Sequence, residues 1–206
     1  MNTGPIGPVM NAIRARLDPW LGKPQWKQSA GRVALYYRFE SEMKPVTPMR
    51  LKVEINTREH FTVLGFERVG FVVENPWFRG GADVLTYPLE ELLGTKLRAL
   101  YQRRKGRDLF DLAEALQRLP GRDLLKIVDC FNRYVDNDGR QISRAEFEAN
   151  LARKLKDAVF TSDVPPLLAL GISFNAIEAH ERVREALLSR LAGEPWKQPS
   201  KPSKGG

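Results

Sequence analysis

The chain has 206 residues, a formal net charge of +8 and an isoelectric point near 9.7, so we expect an anionic partner such as nucleic acid or a nucleotide. Hydrophobic residues make up 42% of the chain, a fraction normal for a globular protein with a core, and no run approaches the ~20 apolar residues of a membrane span. The single cysteine excludes an internal disulfide and a cysteine-based zinc site. Since residues 1–17 lack the basic-then-apolar order of a signal peptide, we expect the cytoplasm.

The first part of the chain alternates between a short helix, a loop and a strand. Residues 8–18 have the spacing of an amphipathic helix, which Pro19 is expected to end. Residues 22–31 are polar and glycine-bounded and are predicted to form a loop. Arg32–Glu40 is rich in Val and Tyr and is predicted to be a strand.

A second strand follows in residues 50–57, where apolar and polar residues alternate. Its apolar face consists of Leu51, Val53 and Ile55, so one side is expected to be buried and the other to face water. We expect a further pair of strands in residues 62–74, with bends at the glycines. Residues 77–83 are predicted to form a turn-rich loop.

From Pro88 onward the chain has helical periodicity. The first helix carries an apolar stripe of leucines at Leu89, Leu92, Leu93, Leu97 and Leu100. Lys96 and Arg103 fall on one line along the edge of that stripe. A lysine in this position must reach out to water or meet an anion. Gly106 is predicted to interrupt or restart the helix before residues 108–117.

Three more helices are predicted in the rest of the chain, over residues 123–135, from Ser143, and over residues 177–191. Ser143 is expected to cap its helix, with Glu146 three residues later. These patterns predict the α+β class, with mostly antiparallel strands followed by a helical C-terminal half. Cys130 lies in an apolar helical run, so we expect it to be buried in the core.

The segment of residues 88–107 holds six Lys or Arg against two Glu. On charge alone, Arg104 with Asp108 and Arg107 with Asp111 are opposite charges at i,i+4, each pair worth roughly 0.2–0.5 kcal/mol on a solvated helix. The alternative interpretation is a surface that binds an anion.

The string TKLRALYQRRKGRDLFDL, residues 95–112, resembles the lysine-plus-RDxxD signature of the AbiEii/AbiGii toxin family of bacterial nucleotidyltransferases. RLKVEINTREHF, residues 50–61, is similar to that family's KIEIN strand. Similarity covers most of the chain and continues through Trp77-Phe78, Glu146-Phe147, Phe160 and Pro195-Trp196. The resemblance implies a partial nucleotidyltransferase-like region in residues 1–86 and a helical region with both motifs in residues 87–192. Residues 193–206 are predicted to be a disordered tail.

Nucleotidyl transfer needs carboxylates that place Mg²⁺ on the phosphates and cations that neutralise the transferring phosphoryl group. By resemblance, Glu54 would be a metal-binding carboxylate; the alternative is a surface ion pair with Lys52. Lys96 would be the phosphate-binding lysine, and Asp108 and Asp111 would support or orient the site. The residues expected to contact nucleotide or RNA are Lys52, Arg103 and Arg107.

The family's N-terminal motif, a Gly-Ser-type turn followed by a DxD stretch, is not found before Glu54. We therefore expect this chain to correspond to the C-terminal two-thirds of a longer enzyme, whose DxD motif is supplied by an upstream polypeptide or lost. Two functions stay open. One is a toxin that uses Mg²⁺ and NTP to modify an RNA such as tRNA, with an antitoxin encoded nearby and a role in abortive infection and phage defence. The other is a truncated, catalytically inactive remnant that binds nucleotide or RNA.

Overall fold

A computed structural model describes residues 5–57 and 59–197 of the chain. The chain divides into two compact units that part between Phe61 and Thr62, whereas the sequence suggested a division at residue 86, where strands give way to helices. Antiparallel strands precede the helices, so the predicted α+β class is confirmed. None of the described helices is long and apolar enough to cross a bilayer.

The first unit consists of one helix and a three-stranded antiparallel sheet. Its elements are α1 (Ile6–Leu21), β1 (Gln25–Ser29), β2 (Arg32–Glu40) and β3 (Pro48–Asn56), in the sheet order β1-β2-β3. Met10 and Leu21 of α1 pack with the buried side chains of the central strand β2, which are Val33, Leu35 and Tyr37. The alternation predicted for β3 is confirmed, because Leu51, Val53 and Ile55 are partly buried and their neighbours are exposed.

Two predictions in this unit are wrong. Residues 22–31 are not a loop, because β1 forms a hairpin with β2; every residue of β1 is exposed, so no alternation marked it as a strand. Helix α1 does not stop before Pro19 but runs to Leu21. Asp18 holds this last turn, since it accepts two hydrogen bonds from Arg14 and its carbonyl accepts one from the amide of Gly22 at 3.0 Å.

The second unit begins with a two-stranded antiparallel hairpin, β4 (Glu67–Glu74) and β5 (Arg79–Thr86). The helices that follow are α2 (Leu89–Gln102), α3 (Gly106–Arg118), α4 (Leu124–Asn137), α5 (Arg144–Leu155), α6 (Ala158–Thr161) and α7 (Ala176–Ala186). Two short 3₁₀ turns lie at Pro165–Leu167 and Leu188–Arg190. Helices α2 to α5 and α7 lie where the sequence predicted them, except that α4 extends two residues further and α7 ends five residues earlier. The short helix α6 was not predicted.

The hairpin corrects two further predictions. Residues 62–74 contain one strand and not a pair, and the partner strand β5 includes most of the stretch predicted to be a loop. The glycines that suggested a loop, Gly80 and Gly81, are paired with Val73 and Val72 in the ladder. The turn lies earlier, where the side-chain oxygen of Asn75 accepts hydrogen bonds from the backbone amides of Trp77 and Phe78.

The core of the second unit forms where α2 and α4 pack closely. A Cβ at Gly94 would lie 2.6 Å from Cβ of Cys130, so only glycine permits this approach. Cys130 is fully buried there, as expected, and burial raises the pKa of its thiol to about 11. Leu93, Leu97 and Leu100 are buried, whereas Leu92, predicted to belong to the same stripe, is 40% exposed.

The C-terminal part of this unit is fastened to α5. Ser143 caps α5 by accepting a hydrogen bond from the amide of Glu146, as predicted. The amide of Trp196 donates to the largely buried carboxylate of Glu148 at 2.7 Å. Residues 198–206, most of the predicted disordered tail, lie outside the described residues.

Candidate functional site

Lys96 lies at the edge of the buried face of α2, where the helical spacing predicts it. Its neighbours Leu93, Leu97 and Leu100 are in the core, but the Lys96 side chain is 32% exposed. The apolar stem therefore covers the core while the ammonium group reaches the surface.

A break after α2 returns the chain against Lys96. Residues 103–105 connect the two helices, with Arg103 and Lys105 in extended conformations, and α3 begins at Gly106 as the sequence predicted. A Cβ at Gly106 would overlap the backbone carbonyl of Phe160 in α6. Glycine is therefore required for α3 to start so close to α6, and this start sets the position of Asp108.

Four side chains meet where α2 and α3 pack, and we call them the Lys96 cluster: Lys96, Arg103, Asp108 and Asp111. Nζ of Lys96 lies 2.8 Å from Oδ2 of Asp111 and 3.5 Å from Oδ1 of Asp108. Arg103 donates two hydrogen bonds to Asp108, at 2.7 Å and 3.1 Å. The Asp108 side chain is fully buried, whereas Lys96, Arg103 and Asp111 reach solvent.

This geometry presents two cations in fixed positions at the surface. A bidentate arginine–carboxylate pair has a defined orientation, and Asp108 also borders the Lys96 ammonium group. Both cations keep an exposed side that a phosphate oxygen from solvent can approach. The cluster itself is electrically neutral, so attraction for an anion has to come from the surrounding residues.

Those surroundings are basic. Arg104 pairs with Asp157, and Lys105 and Arg107 both pair with Asp163, at 3.4 Å and 3.5 Å. Burial raises the pKa of Asp163. The hydrogen bond from the Arg107 amide and the charges of Arg107 and Lys105 lower it by more, so the pKa lies below its ordinary value. The Asp163 carboxylate therefore anchors the start of α3 in its charged form.

The two predicted i,i+4 ion pairs are not observed. Arg104 and Asp108 are separated by the break at residues 103–105, so Asp108 pairs with Arg103 instead. Arg107 and Asp111 do share a helix, but Arg107 pairs with Asp163 and Asp111 with Lys96. Arg107 and Asp111 thus have partners outside their own helical turn, and Asp108 pairs across the break between the helices.

Lys154 of α5 closes the C-terminal end of α2, and nothing in the sequence-based prediction singled it out. Its ammonium group donates hydrogen bonds to the carbonyl oxygens of Leu100 and Tyr101, where a helix end favours a cation. Burial lowers the pKa of Lys154 to about 8, against the opposing effect of nearby Asp108. Lys154 comes three residues after Leu151 and seven after Phe147, both of which are buried. This helical spacing was the available signal that Lys154 points inward.

Glu54 and Lys52 belong to the first unit, and the Lys96 cluster belongs to the second. The two residues form an ion pair on the polar side of β3. A hydrogen bond from Lys52 lowers the pKa of Glu54, and the same bond raises the pKa of Lys52. Glu54 also lines an open cleft of about 540 Å³ beside Arg32 and Asn56. The ion pair expected as the alternative for Glu54 is thus present.

The described residues do not fit the magnesium ion that the resemblance implies. In residues 5–57 and 59–197, no group of three or more His, Cys, Asp or Glu side chains is placed to hold a metal. Glu54 is paired with Lys52, and both oxygens of Asp108 accept hydrogen bonds from Arg103. A Mg²⁺ ion held by one carboxylate keeps most of its waters.

Comparison with known protein families identifies a match over most of the chain. The family model described as "Nucleotidyl transferase AbiEii toxin, Type IV TA system" matches residues 2–187, a range that takes in both units and contains the Lys96 cluster. No curated protein and no solved structure matches the chain. The chain therefore belongs to the AbiEii family of nucleotidyl transferase toxins from type IV toxin–antitoxin systems.

Proposed function

We propose that this chain is a cytoplasmic toxin that transfers a nucleotide from an NTP to an RNA acceptor such as tRNA, and that a cognate antitoxin restrains it. Membership of the family supports the general transferase activity and the antitoxin. The observation that carries the finer proposal is the Lys96 cluster, in which buried Asp108 fixes two cations at the surface. A role in abortive infection and phage defence would follow from toxin action.

In this reaction a hydroxyl oxygen of the RNA attacks the α-phosphorus of the NTP. A new oxygen–phosphorus bond forms, the bond to the β-phosphate oxygen breaks, pyrophosphate leaves, and the hydroxyl proton passes to solvent. Lys96 and Arg103 would hold phosphate oxygens and offset the negative charge that develops on them. Asp108 would keep both cations in place, and Asp111 would orient the Lys96 ammonium group.

The surface around the cluster supplies the attraction for these polyanions. The cluster and its surroundings hold an excess of three positive charges. The seven cations are Lys96, Arg103, Arg104, Lys105, Arg107, Arg153 and Lys154, and the four carboxylates are Asp108, Asp111, Asp157 and Asp163. Mg²⁺ would be bound to the triphosphate, and the Lys96 cluster would not supply its ligands. Arg107 would contribute to holding phosphate, since its side chain is 47% exposed.

The test is nucleotide incorporation with Lys96→Ala. Purified chain is incubated with Mg²⁺, each labelled NTP in turn and total bacterial tRNA, alone and with any upstream polypeptide that carries the DxD motif. The matched control is Lys126→Ala, a lysine 61% exposed on α4. We expect the wild type and the control to label RNA, and Lys96→Ala to lose roughly 100-fold or more of the rate, as when a group that stabilises transition-state charge is removed.

Melting temperatures separate chemistry from folding. Partly exposed ion pairs are worth roughly 0–1 kcal/mol, so Lys96→Ala should melt within a few degrees of the wild type. Loss of transfer together with a large fall in melting temperature would make Lys96 structural. Equal labelling by Lys96→Ala and Lys126→Ala would contradict the role proposed for the cluster.

A second function is favoured by the ion pair of Glu54 with Lys52. It is also favoured because the described residues place no three His, Cys, Asp or Glu side chains together to hold a metal ion. The chain would then bind nucleotide or RNA without transferring anything. The outcome that supports this function is binding of NTP or RNA by the wild type, weakened by Lys96→Ala, with no label incorporated under any condition.

A further inference from the structure

A basic cleft in the second unit has Arg103 in its lining. Its volume is about 260 Å³, and it lies between the end of α2 and the C-terminal half of α5. We call it the Lys154 cleft; the lining residues that matter here are Arg103, Arg104, Asn150, Arg153, Lys154 and Asp157. The volume is just below the roughly 300–1,000 Å³ of sites that enclose a small molecule, and it suits one phosphate with its sugar.

The cleft has a net positive charge, which favours binding of an anion. Four of its lining side chains are cationic and one, Asp157, is a carboxylate that already pairs with Arg104. Lys154 is partly withdrawn from water, because it contacts the carbonyls that end α2. An anion beside a cation in such surroundings is attracted more strongly than at an open surface. With a pKa of about 8, Lys154 is still mostly protonated at neutral pH.

Asn150 adds a second and independent requirement. Its Oδ1 atom is buried and has no hydrogen-bond partner among the described residues, although Asn150 lines the cleft. A buried acceptor without a partner costs roughly 1–3 kcal/mol, so such atoms are normally paired. Because Asn150 also lines the cleft, a half-turn of its amide group would present Oδ1 to a ligand that brings a hydrogen-bond donor next to its anionic group.

We propose that the Lys154 cleft binds a backbone phosphate of RNA and that Asn150 accepts a hydrogen bond from a neighbouring ribose hydroxyl. Phosphate and 2′-hydroxyl lie side by side along an RNA strand, and the hydroxyl is the group that DNA lacks. The inference rests on the proposed function in one respect, that the acceptor is RNA. The cleft would position that acceptor beside the Lys96 cluster, with Arg103 common to both.

The experiment measures binding of a fluorescent single-stranded oligoadenylate and its deoxy counterpart to the full chain, over a range of salt concentrations and without NTP. The variants are Arg153→Gln and Asn150→Ala, and the control is Arg133→Gln, an arginine 67% exposed on α4. We expect Arg153→Gln to weaken RNA and DNA binding alike, by roughly tenfold, and to lower the salt slope by about 0.7. Asn150→Ala should weaken RNA binding roughly fivefold and leave DNA binding unchanged.

Several outcomes overturn the proposal. Arg153→Gln could behave as Arg133→Gln does, Asn150→Ala could weaken RNA and DNA equally, or the wild type could bind neither strand. A parallel titration with fluorescent ATP identifies the source of the phosphate. If Arg153→Gln weakens ATP binding and leaves RNA binding unchanged, the cleft is a nucleotide site and the assignment to RNA is wrong.

Binding without NTP keeps this test separate from the test of the proposed function. If the chain binds RNA in the cleft but transfers no nucleotide, the proposal for the cleft stands and the proposed transferase function is wrong. Transfer by a chain whose RNA binding ignores Arg153 and Asn150 would do the reverse. Melting curves of each variant confirm that the folded chain is being compared.

Discussion

Among the described residues of the second unit, the carboxylates of Glu91 on α2 and Asp108 on α3 are fully buried, and their partners differ in kind. Glu91 accepts four hydrogen bonds from neutral donors at 2.7–2.9 Å, namely the hydroxyls of Thr62 and Tyr134 and the amides of Val63 and Leu64. Asp108 instead accepts from two cations, Arg103 and Lys96, whose side chains are 56% and 32% exposed.

The difference separates a carboxylate whose partners lie inside the fold from one whose partners reach solvent. The donors to Glu91 lie in the loop before β4 and on α4, so the carboxylate ties these segments to α2 and has nothing to offer a ligand. The cations beside Asp108 can turn partly to a phosphate while the carboxylate stays fixed. Buried charge alone therefore does not distinguish the two carboxylates, whereas the exposure of their partners does.

The first way to test this comparison is Glu91→Gln, which has the largest expected effect on stability. An amide offers one acceptor oxygen and an NH₂ group to a pocket built of four donors, so donors lose partners. We expect a loss of about 3 kcal/mol in the free energy of unfolding, measured by denaturant titration at neutral pH. Glu185→Gln, at a side chain 73% exposed, is the control and should change stability by less than about 0.5 kcal/mol.

Acid should destabilise the wild type through the same residue. Burial raises the pKa of Glu91, but the hydrogen bonds from Leu64, Val63, Tyr134 and Thr62 outweigh burial, so the folded pKa is below the ordinary 4.5. Glu91 therefore contributes stability above that pH and loses it as the pH falls through the folded pKa. Glu91→Gln should lack this part of the acid dependence, and identical acid curves for wild type and variant would contradict the assignment.

Asp108→Asn tests the other side of the comparison and should cost less stability. Its partners reach solvent, so they can be hydrated when the carboxylate is lost; we expect a loss of about 1–2 kcal/mol. Asp129→Asn is the control, with a side chain 58% exposed. Because Asp108 positions Lys96 and Arg103, transfer should show a lower kcat with KM nearly unchanged.

A purely structural Asp108 would give a different pattern. The melting temperature would fall, but kcat measured well below that temperature would equal the wild-type value. A stability loss as large as that of Glu91→Gln would mean that the cations beside Asp108 cannot relax toward water, and the distinction between the two carboxylates would not hold.

Local sequence rules predicted the parts of the site that depend on neighbours along the chain. Helical spacing gave the position of Lys96 at the edge of the apolar stripe, and the glycine rule gave the restart at Gly106. The ion pairs of Arg104 with Asp157 and of Lys105 with Asp163 join residues 53 and 58 positions apart, and no local pattern connects them.

The burial of Glu91 was not predicted, for the same reason. By spacing it was one of two acidic residues in the first turn of α2, where a solvated charge is normal. Its four donors lie 27 to 43 positions away, so only the folded chain reveals that it is buried and satisfied. Strand β5 escaped prediction because its pairing partner, and not its own glycine-rich composition, makes it a strand.

Glu54 carries the smallest expected effect on stability, because its ion pair with Lys52 lies at the surface of β3. We expect neither Glu54→Gln nor Lys52→Gln to change the unfolding curve measurably, so any change in transfer reflects the site and not the fold. If Glu54 and Lys52 take part in transfer, with Lys52 holding nucleotide or RNA, Glu54→Gln lowers kcat and Lys52→Gln raises KM. Transfer rates equal to wild type in both variants would make the pair a surface ion pair and would leave the chemistry to the Lys96 cluster.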